Sequence, residues 1–229
     1  MKWIVIAALL LAAGWYYANL DAGSPSQAQP STVAATAAKP AVTPQASSAT
    51  ASNSAITVRC DTTRGPLDIA VKPEWSPKGA ERFLQLVDDG HFNDMPLFRC
   101  VAGFLCQFGY KPGGRDYPTI TDDTPGQAPL PFRQGYVSFA GGGANSRSSH
   151  LFITLGATVD ALGKAAWETP IGTVTPDTLA TVAQLNTEYG DMPPWGKGPD
   201  PARITAADGA NYLKREFPRL DYIRSCRRG

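Results

Sequence analysis

The change in composition at residue 56 constrains this chain more than any other feature of its sequence. Residues 21–55 consist almost entirely of Ala, Ser, Thr, Pro and Gln, with almost no charge and only two valines as large apolar residues. Such a segment cannot bury enough apolar surface to offset its ordering entropy, and its prolines disfavour an alanine-rich helix. We therefore predict a disordered linker over 21–55 and a folded domain over 56–229.

A hydrophobic segment precedes this linker. Residues 3–20 carry almost no polar side chain, and eighteen residues of helix just span a bilayer core of about 30 Å. Aromatic rings at 15–17 suit the membrane interface. We predict an N-terminal hydrophobic helix over 1–20 that acts as a single-pass anchor in the cell inner membrane, with the domain in the periplasm. A cleaved signal peptide, which would release the domain into the periplasm, is the alternative.

From residue 56 onward, short strand patterns alternate with turn signals. Strand patterns cover 56–60, 67–71, 97–101, 104–108, 135–140, 151–154 and 220–226. Ser76 followed by Pro77 predicts a helix start with a capping serine, and Gly90 ends that helix. Two further helices are predicted over 178–189 and 202–216. Many short strands with two or three helices indicate a mainly β fold, a closed antiparallel barrel capped by helices.

Two classes of function are disfavoured by composition. The net charge of +1 lacks the basic excess that is typical of nucleic-acid binding, so no nucleic-acid partner is predicted. His91 and His150 are the only two histidines, and no metal site is predicted.

Two sequence blocks resemble the signatures of the cyclophilin-type peptidyl-prolyl isomerases. Residues 98–109, FRCVAGFLCQFG, are similar to the family pattern F-R-V-x-x-G-F-x-x-Q-x-G, and residues 135–153 resemble its second block. The form of residues 145–147 and the tail over 189–223 resemble a bacterial, exported subgroup. The resemblance runs from about 56 to 226. It implies an eight-stranded antiparallel barrel capped by helices.

The resemblance also implies an activity, the acceleration of X-Pro isomerisation in unfolded or exported proteins by a monomer that needs no cofactor. The barrier, about 20 kcal/mol, arises because amide resonance is lost at the twisted geometry, where the proline nitrogen becomes basic. A fixed guanidinium can donate a hydrogen bond to that nitrogen. By resemblance Arg99 is this catalytic group and Gln107 orients it. Outside such a block, Arg99 would be interpreted as a surface ion-pair residue.

The predicted hairpin supports this pairing without reference to the family. A tip at 102–104 places Arg99 opposite Gln107 and Cys100 opposite Cys106. Strand alternation then puts Arg99, Leu105 and Gln107 on one face.

The proline-binding pocket is likewise implied by resemblance. Phe104, Leu105 and Phe152 match its floor and walls, and Ala140 and Gly141 match the backbone that pairs with substrate. His150 replaces the usual glutamine; it can still bind peptide, and pH sensitivity near neutrality is left open. The following stretch departs from the family, with an insertion over 164–169, so either Val159 or Leu162 supplies the remaining apolar wall. These departures favour an alternative function, a non-catalytic proline-peptide-binding module or chaperone.

The four cysteines are predicted to form two disulfides. Cys100 and Cys106 are cross-strand neighbours in the predicted hairpin, and the first and last strands, which carry Cys60 and Cys226, adjoin in the family barrel. Buried free thiols are the alternative for Cys100 and Cys106.

Overall fold

The structure is a computed structural model, and it describes residues 56–229. The predicted anchor over 1–20 and linker over 21–55 lie outside the described residues. In the described part the strands are β1 (Ile56–Thr62), β2 (Gly65–Val71), β3 (Met95–Pro96), β4 (Arg99–Val101), β5 (Leu105–Phe108), β6 (Phe132–Arg133), β7 (Tyr136–Phe139), β8 (Leu151–Thr154), β9 (Thr158–Val159), β10 (Pro170–Val174) and β11 (Tyr222–Arg228). The helices are α1 (Pro77–Asp88), α2 (Leu179–Ala183), α3 (Pro201–Ile204) and α4 (Gly209–Glu216), with 3₁₀ turns at Ala166–Glu168 and Pro176–Thr178.

Nine strands form one antiparallel sheet in the order β3-β11-β1-β2-β10-β7-β8-β5-β4, and β6 pairs separately with β9. The two edge strands, β3 and β4, are separated in the chain by only Leu97 and Phe98, so the sheet must curl to bring its edges near each other. Within residues 56–229 no ladder joins β3 to β4. The predicted mainly β architecture is confirmed, but the closed eight-stranded barrel is replaced by a curled, nine-stranded half-barrel.

The sheet buries different side chains on its two faces. In β1 and β2 burial alternates with period two, so that Val58, Leu67 and Ile69 enter the main core. In β5, β7 and β8 every residue is buried. Phe108 and Ile153 point into the main core, whereas the alternate residues of these strands face a second apolar cluster. These central strands therefore separate the core from the candidate site.

Helix α1 begins at Pro77, as predicted, but Ser76 does not cap it. The Ser76 hydroxyl instead donates to Oδ2 of Asp123 at 2.5 Å. The Asp123 carboxylate accepts the N–H groups of Lys78 at 2.9 Å and Gly79 at 3.0 Å. An acidic side chain from a distant loop thus satisfies the donors at this helix terminus, which local sequence patterns do not reveal.

The two C-terminal helix predictions were too long. Helix α2 ends at Ala183, and shortly afterwards the N–H of Asn186 donates to the carboxylate of Asp221 at 2.7 Å. The segment predicted over 202–216 is divided into α3 and α4. At the division Gly209 approaches so closely that a Cβ would lie 1.9 Å from the carbonyl oxygen of Ile204, so only glycine fits.

Two disulfides cross-link the sheet. Cys60 of β1 is bonded to Cys226 of β11, its direct cross-strand partner. Cys100 of β4 is bonded to Cys106 of β5, again across one rung of an antiparallel ladder.

Candidate functional site

Four polar and aromatic residues form a row across four adjacent strands. Arg99 of β4 is the cross-strand partner of Gln107 in β5, as the hairpin register predicted. Gln107 is the partner of Phe152 in β8, and Phe152 is the partner of Ser138 in β7. Because directly opposed residues point to the same face of a sheet, these four side chains lie side by side. We call them the cross-strand row.

The guanidinium of Arg99 is held by two acceptors. Its Nη1 donates to Oε1 of Gln107 at 3.1 Å. Its Nε donates to Oδ1 of Asp191 at 2.6 Å, and its Nη2 donates to Oδ2 at 3.2 Å. The side chains of Arg99 and Asp191 are 18% and 25% exposed, so the pair lies at the surface of the site, partly shielded from water.

An apolar group, which we call the site cluster, continues this face of the sheet. Its buried members are Leu105, Phe132, Tyr136, Phe152 and Val159, and its partly buried members are Trp75, Phe104, Ala140 and Leu162. The residues predicted to line a proline pocket are thus brought together. Both candidates for the remaining wall are present, Val159 buried and Leu162 partly exposed at the edge.

Aromatic contacts and a glycine fix the far side of the site cluster. The ring centroids of Phe132 and Phe152 are 6.3 Å apart, and those of Phe132 and Tyr136 are 5.3 Å apart. Val159 is the cross-strand partner of Phe132. Gly163 has a φ of +83°, and a Cβ there would lie 2.6 Å from the Phe132 ring, so this close approach requires glycine.

The predicted backbone-pairing stretch lies beside Trp167. The N–H of Ala140 donates to the carbonyl oxygen of His150 at 2.9 Å. A Cβ on Gly141 would lie 2.9 Å from Cβ of Trp167 and 3.1 Å from Oγ of Ser146, so the absence of a side chain lets the indole approach the backbone. Gly142, the next residue, has open space around it.

The insertion after β9 is held by a carboxylate. Oε2 of Glu168 accepts the backbone N–H groups of Gly163 at 3.0 Å, Lys164 at 3.1 Å and Ala165 at 3.3 Å. Oγ of Ser138 donates to the carbonyl oxygen of Glu168 at 3.0 Å, which ties the insertion to the cross-strand row. Glu168 therefore organises the loop that carries Trp167.

His150 stacks on Tyr110, with ring centroids 3.8 Å apart and planes inclined by 28°. Its Nδ1 lies 3.4 Å from Oγ of Ser148. Burial lowers the pKa of His150 to about 4, although the negative charge of Asp116 acts in the opposite direction. The ring is consequently neutral at physiological pH, and the pH sensitivity near neutrality that the sequence left open is not expected.

Several residues of this region were missed at the level of sequence. Asp191 lies 92 positions from Arg99, outside the two sequence blocks that resemble the family signatures, so no local pattern indicates the contact. From the sequence, Phe132 and Tyr136 are interpreted as ordinary core aromatics and Ser138 as a strand residue, so none of the three was predicted to lie in the site. Within residues 56–229, no group of three or more metal-ligating side chains is arranged to hold a metal ion.

Comparison with known proteins identifies relatives of this sequence and fold. Residues 56–206 match the family profile of cyclophilin type peptidyl-prolyl cis-trans isomerase/CLD. The chain is 36% identical over 103 residues to peptidyl-prolyl cis-trans isomerase-like 2 of Neurospora crassa, an alignment that covers 42% of this chain and 17% of the relative. It is 32% identical over 142 residues to peptidyl-prolyl cis-trans isomerase CYP57 of Arabidopsis thaliana, covering 58% of this chain and 28% of that protein. The chain therefore spans less than a third of the length of either relative.

A solved structure shows the same fold. It is a cyclophilin type peptidyl-prolyl cis-trans isomerase from Cryptosporidium parvum, crystallised in the presence of the dipeptide Ala-Pro. The TM-score is 0.50 with 20% identity, and the superposition covers 74% of this chain and 96% of that one.

These comparisons correct the predicted localisation. The two curated relatives described above and a third from the fungus Rhizopus delemar come from eukaryotes, which lack the bacterial inner membrane and its periplasm, and they do not support a bacterial, exported and membrane-anchored subgroup. The prediction of an inner-membrane protein with a periplasmic domain, or of one released there, is therefore wrong. Separately, none of the helices found between residues 56 and 229 has the length and apolar character needed to cross a membrane.

Proposed function

This chain belongs to the cyclophilin-type peptidyl-prolyl cis-trans isomerase family, and on that premise we propose that it accelerates the cis-trans isomerisation of X-Pro bonds in proline-containing segments of unfolded proteins. The observation that carries the proposal is the fixed guanidinium of Arg99 on the same sheet face as the site cluster, one strand away from Gln107.

The chemistry requires neither a nucleophile nor a metal. Rotation about the X-Pro bond breaks amide resonance, and the proline nitrogen becomes pyramidal and basic at the twisted geometry. A donor held in place before the reaction stabilises this state and not the planar one, so it lowers the barrier without tightening ground-state binding. Arg99 supplies that donor, and Gln107 fixes its orientation from the neighbouring strand.

The site cluster supplies the rest of the binding site. Phe104, Leu105 and Phe152 receive the proline ring, since these side chains surround an apolar surface next to Arg99. The backbone at Ala140 and Gly141 pairs with the substrate chain. His150, whose ring is neutral at physiological pH, hydrogen-bonds a peptide group of the substrate. Val159 and Leu162 form the remaining apolar wall together, one buried and one at the edge.

Two observations favour a second function, a non-catalytic module or chaperone that binds proline-containing peptides. Asp191 occupies Nε and Nη2 of Arg99, and a carboxylate so close to the guanidinium reduces its net positive charge. The insertion held by Glu168 also alters the wall of the pocket. A binding module retains affinity for the peptide but gives no acceleration.

The test is isomerisation of a short X-Pro peptide by the full chain, beside Arg99→Ala and the control Arg215→Ala. Arg215 is 63% exposed on α4 and pairs with its neighbour Glu216, so its removal leaves the site intact. We expect acceleration that Arg99→Ala reduces about 100- to 1,000-fold, the usual cost of removing a donor aimed at the transition state, and that Arg215→Ala leaves unchanged. A folded chain that binds the peptide without accelerating its isomerisation would establish the second function instead.

A further inference from the structure

We propose that Asp191 is a positioning residue for Arg99, and that the C-terminal part of the chain holds Asp191 in the site. The inference rests on the proposed isomerase function and adds to it a residue outside the family's motif blocks. Asp191 contacts Arg99 through both carboxylate oxygens, at 2.6 and 3.2 Å. Such two-point contacts fix the plane of a guanidinium as well as its place.

A count of hydrogen-bond donors shows what the contact leaves available. A guanidinium carries five N–H groups, one on Nε and two on each terminal nitrogen. Asp191 takes the Nε–H and one N–H of Nη2, and Gln107 takes one N–H of Nη1. One N–H therefore remains on each terminal nitrogen of Arg99. With three donors held by the protein, the remaining two have a fixed direction before substrate arrives.

Asp191 is itself held in place by its own loop. Its Oδ1 accepts the N–H of Met192 at 2.8 Å, and its carbonyl oxygen accepts the N–H of Gly198 at 2.8 Å. A Cβ on Gly196 would lie 2.1 Å from that carbonyl oxygen, so the tight turn requires glycine there. Gly190, which precedes Asp191, forms an isolated β-bridge with Cys100, the neighbour of Arg99 in β4.

The C-terminal part of the chain anchors this loop. Phe98, adjacent to Arg99, packs in one apolar cluster whose other buried members are Ile204, Tyr212, Leu213, Phe217 and Leu220. Met192 and Tyr189, on either side of Asp191, pack against the same cluster, and the Tyr189 and Phe217 rings are 5.0 Å apart. The family match ends at residue 206, before four of these residues. Segments beyond the matched region thus fix the acid that holds Arg99.

The ion pair has opposite effects on the reaction rate, depending on whether Asp191 positions the guanidinium of Arg99 or neutralises its charge. A carboxylate that merely neutralised Arg99 would slow the reaction, and its removal would speed it. A carboxylate that positions Arg99 makes the arginine effective, because a donor already aligned needs no reorganisation in the transition state. The partial burial of the pair and its two-point geometry favour positioning.

The test compares the full-length wild type with Asp191→Asn, Arg99→Ala and the double variant. Asparagine keeps an oxygen for the Met192 N–H, so the turn is retained while the charge and one oxygen are lost. Glu188→Gln is the matched control, since it breaks an exposed ion pair with Arg219 in the same segment without reaching Arg99. We expect Asp191→Asn to lower kcat about 10- to 100-fold with KM nearly unchanged, as for a displaced catalytic group.

The double variant separates positioning from a merely structural role. If Asp191 acts through Arg99, adding Asp191→Asn to Arg99→Ala costs nothing further, whereas an independent structural effect multiplies. The Arg99 Nε–H resonance supplies a second readout: it is protected from exchange in wild type and in Glu188→Gln, and loses that protection in Asp191→Asn. Unchanged or faster turnover by Asp191→Asn, or multiplicative losses in the double variant, would overturn the inference alone. A wild type without activity would instead overturn the proposed function on which the inference rests.

Discussion

Arg147 donates from Nη1 to Oδ2 of Asp123 at 2.9 Å, and both side chains are almost completely buried. The same carboxylate caps helix α1 through the N–H groups of Lys78 and Gly79. Nη2 of Arg147 also donates to the carbonyl oxygen of Thr121 at 2.7 Å. One buried ion pair therefore joins the start of α1 to the loop between β5 and β6 and to the loop between β7 and β8.

Removing one partner of this pair is expected to destabilise the fold strongly. Asp123→Asn removes the nearer of the two carboxylates that face the buried Arg147 and leaves only Asp122, at 3.4 Å. Breaking a buried pair costs about 3–5 kcal/mol, and the remaining Asp122 puts the expected loss towards the lower end of that range. Urea unfolding measures the change in the free energy of unfolding. The control Glu188→Gln breaks an exposed pair with Arg219, where solvent screening makes the expected loss much smaller. Equal losses for the two variants would contradict the role assigned to the buried pair.

His91 is expected to make the fold less stable in acid. Burial lowers its pKa to about 4, helped by the positive charge of Lys111 and by that of His150 once this ring is protonated in acid, and opposed by the backbone at Gly109 and Ser149. An unfolded histidine, with a pKa near 6.5, binds a proton over a range in which the folded one does not. Stability is therefore full above about pH 6.5 and falls as the pH drops from there to about 4. The loss from His91 amounts to about 3 kcal/mol.

The measurement is the free energy of unfolding in urea at pH 7.5 and at pH 4.5, for wild type and His91→Phe. Phenylalanine suits the site because His91 packs between the rings of Phe92 and Tyr117, at centroid distances of 5.3 and 5.0 Å. The variant should lose clearly less stability than wild type on acidification. The same loss in both proteins would show that other groups govern the acid response.

The two disulfides are expected to stabilise the fold to different extents. Cys60 and Cys226 are 166 residues apart, whereas Cys100 and Cys106 are 6 apart. Loop-closure entropy then gives about 5 kcal/mol for the first bond and about 2 kcal/mol for the second. We expect Cys60→Ser/Cys226→Ser to lower the free energy of unfolding more than Cys100→Ser/Cys106→Ser. Alkylation and mass mapping without reductant should find no free thiol; four modified cysteines would exclude both bonds.

Local patterns in the sequence predicted those parts of the fold in which neighbours along the chain determine the structure. The alternation of β1 and β2, the start of α1 and the pairing of Arg99 with Gln107 each depend on a few consecutive residues or on one tight turn. The hairpin fixed the register of the first two members of the cross-strand row, Arg99 and Gln107. The other two, Phe152 and Ser138, join the row through the pairing of β5 with β8 and of β8 with β7.

Contacts between distant segments were not predictable in this way. Asp123 lies 47 positions from Ser76, and Asp191 lies 92 positions from Arg99. Both are acids in irregular loops, where the same residue type would ordinarily be solvated. The long C-terminal helix predictions failed for a similar reason, since Asn186 contacts Asp221, a residue 35 positions further on that immediately precedes β11. Tertiary packing decided these features, not local propensity.

Gly141 offers a test of the substrate-binding side of the site, with its neighbour as control. In Gly141→Ala the new Cβ would lie 2.9 Å from Cβ of Trp167, too close for either group to stay in place. Because backbone and indole must separate, the stretch proposed to pair with substrate shifts, and we expect KM for an X-Pro peptide to rise about tenfold, equivalent to about 1.4 kcal/mol. Gly142→Ala meets nothing within 4 Å and should change KM less than about twofold. Equal KM values for the two variants would show that substrate does not pair with the backbone at Gly141.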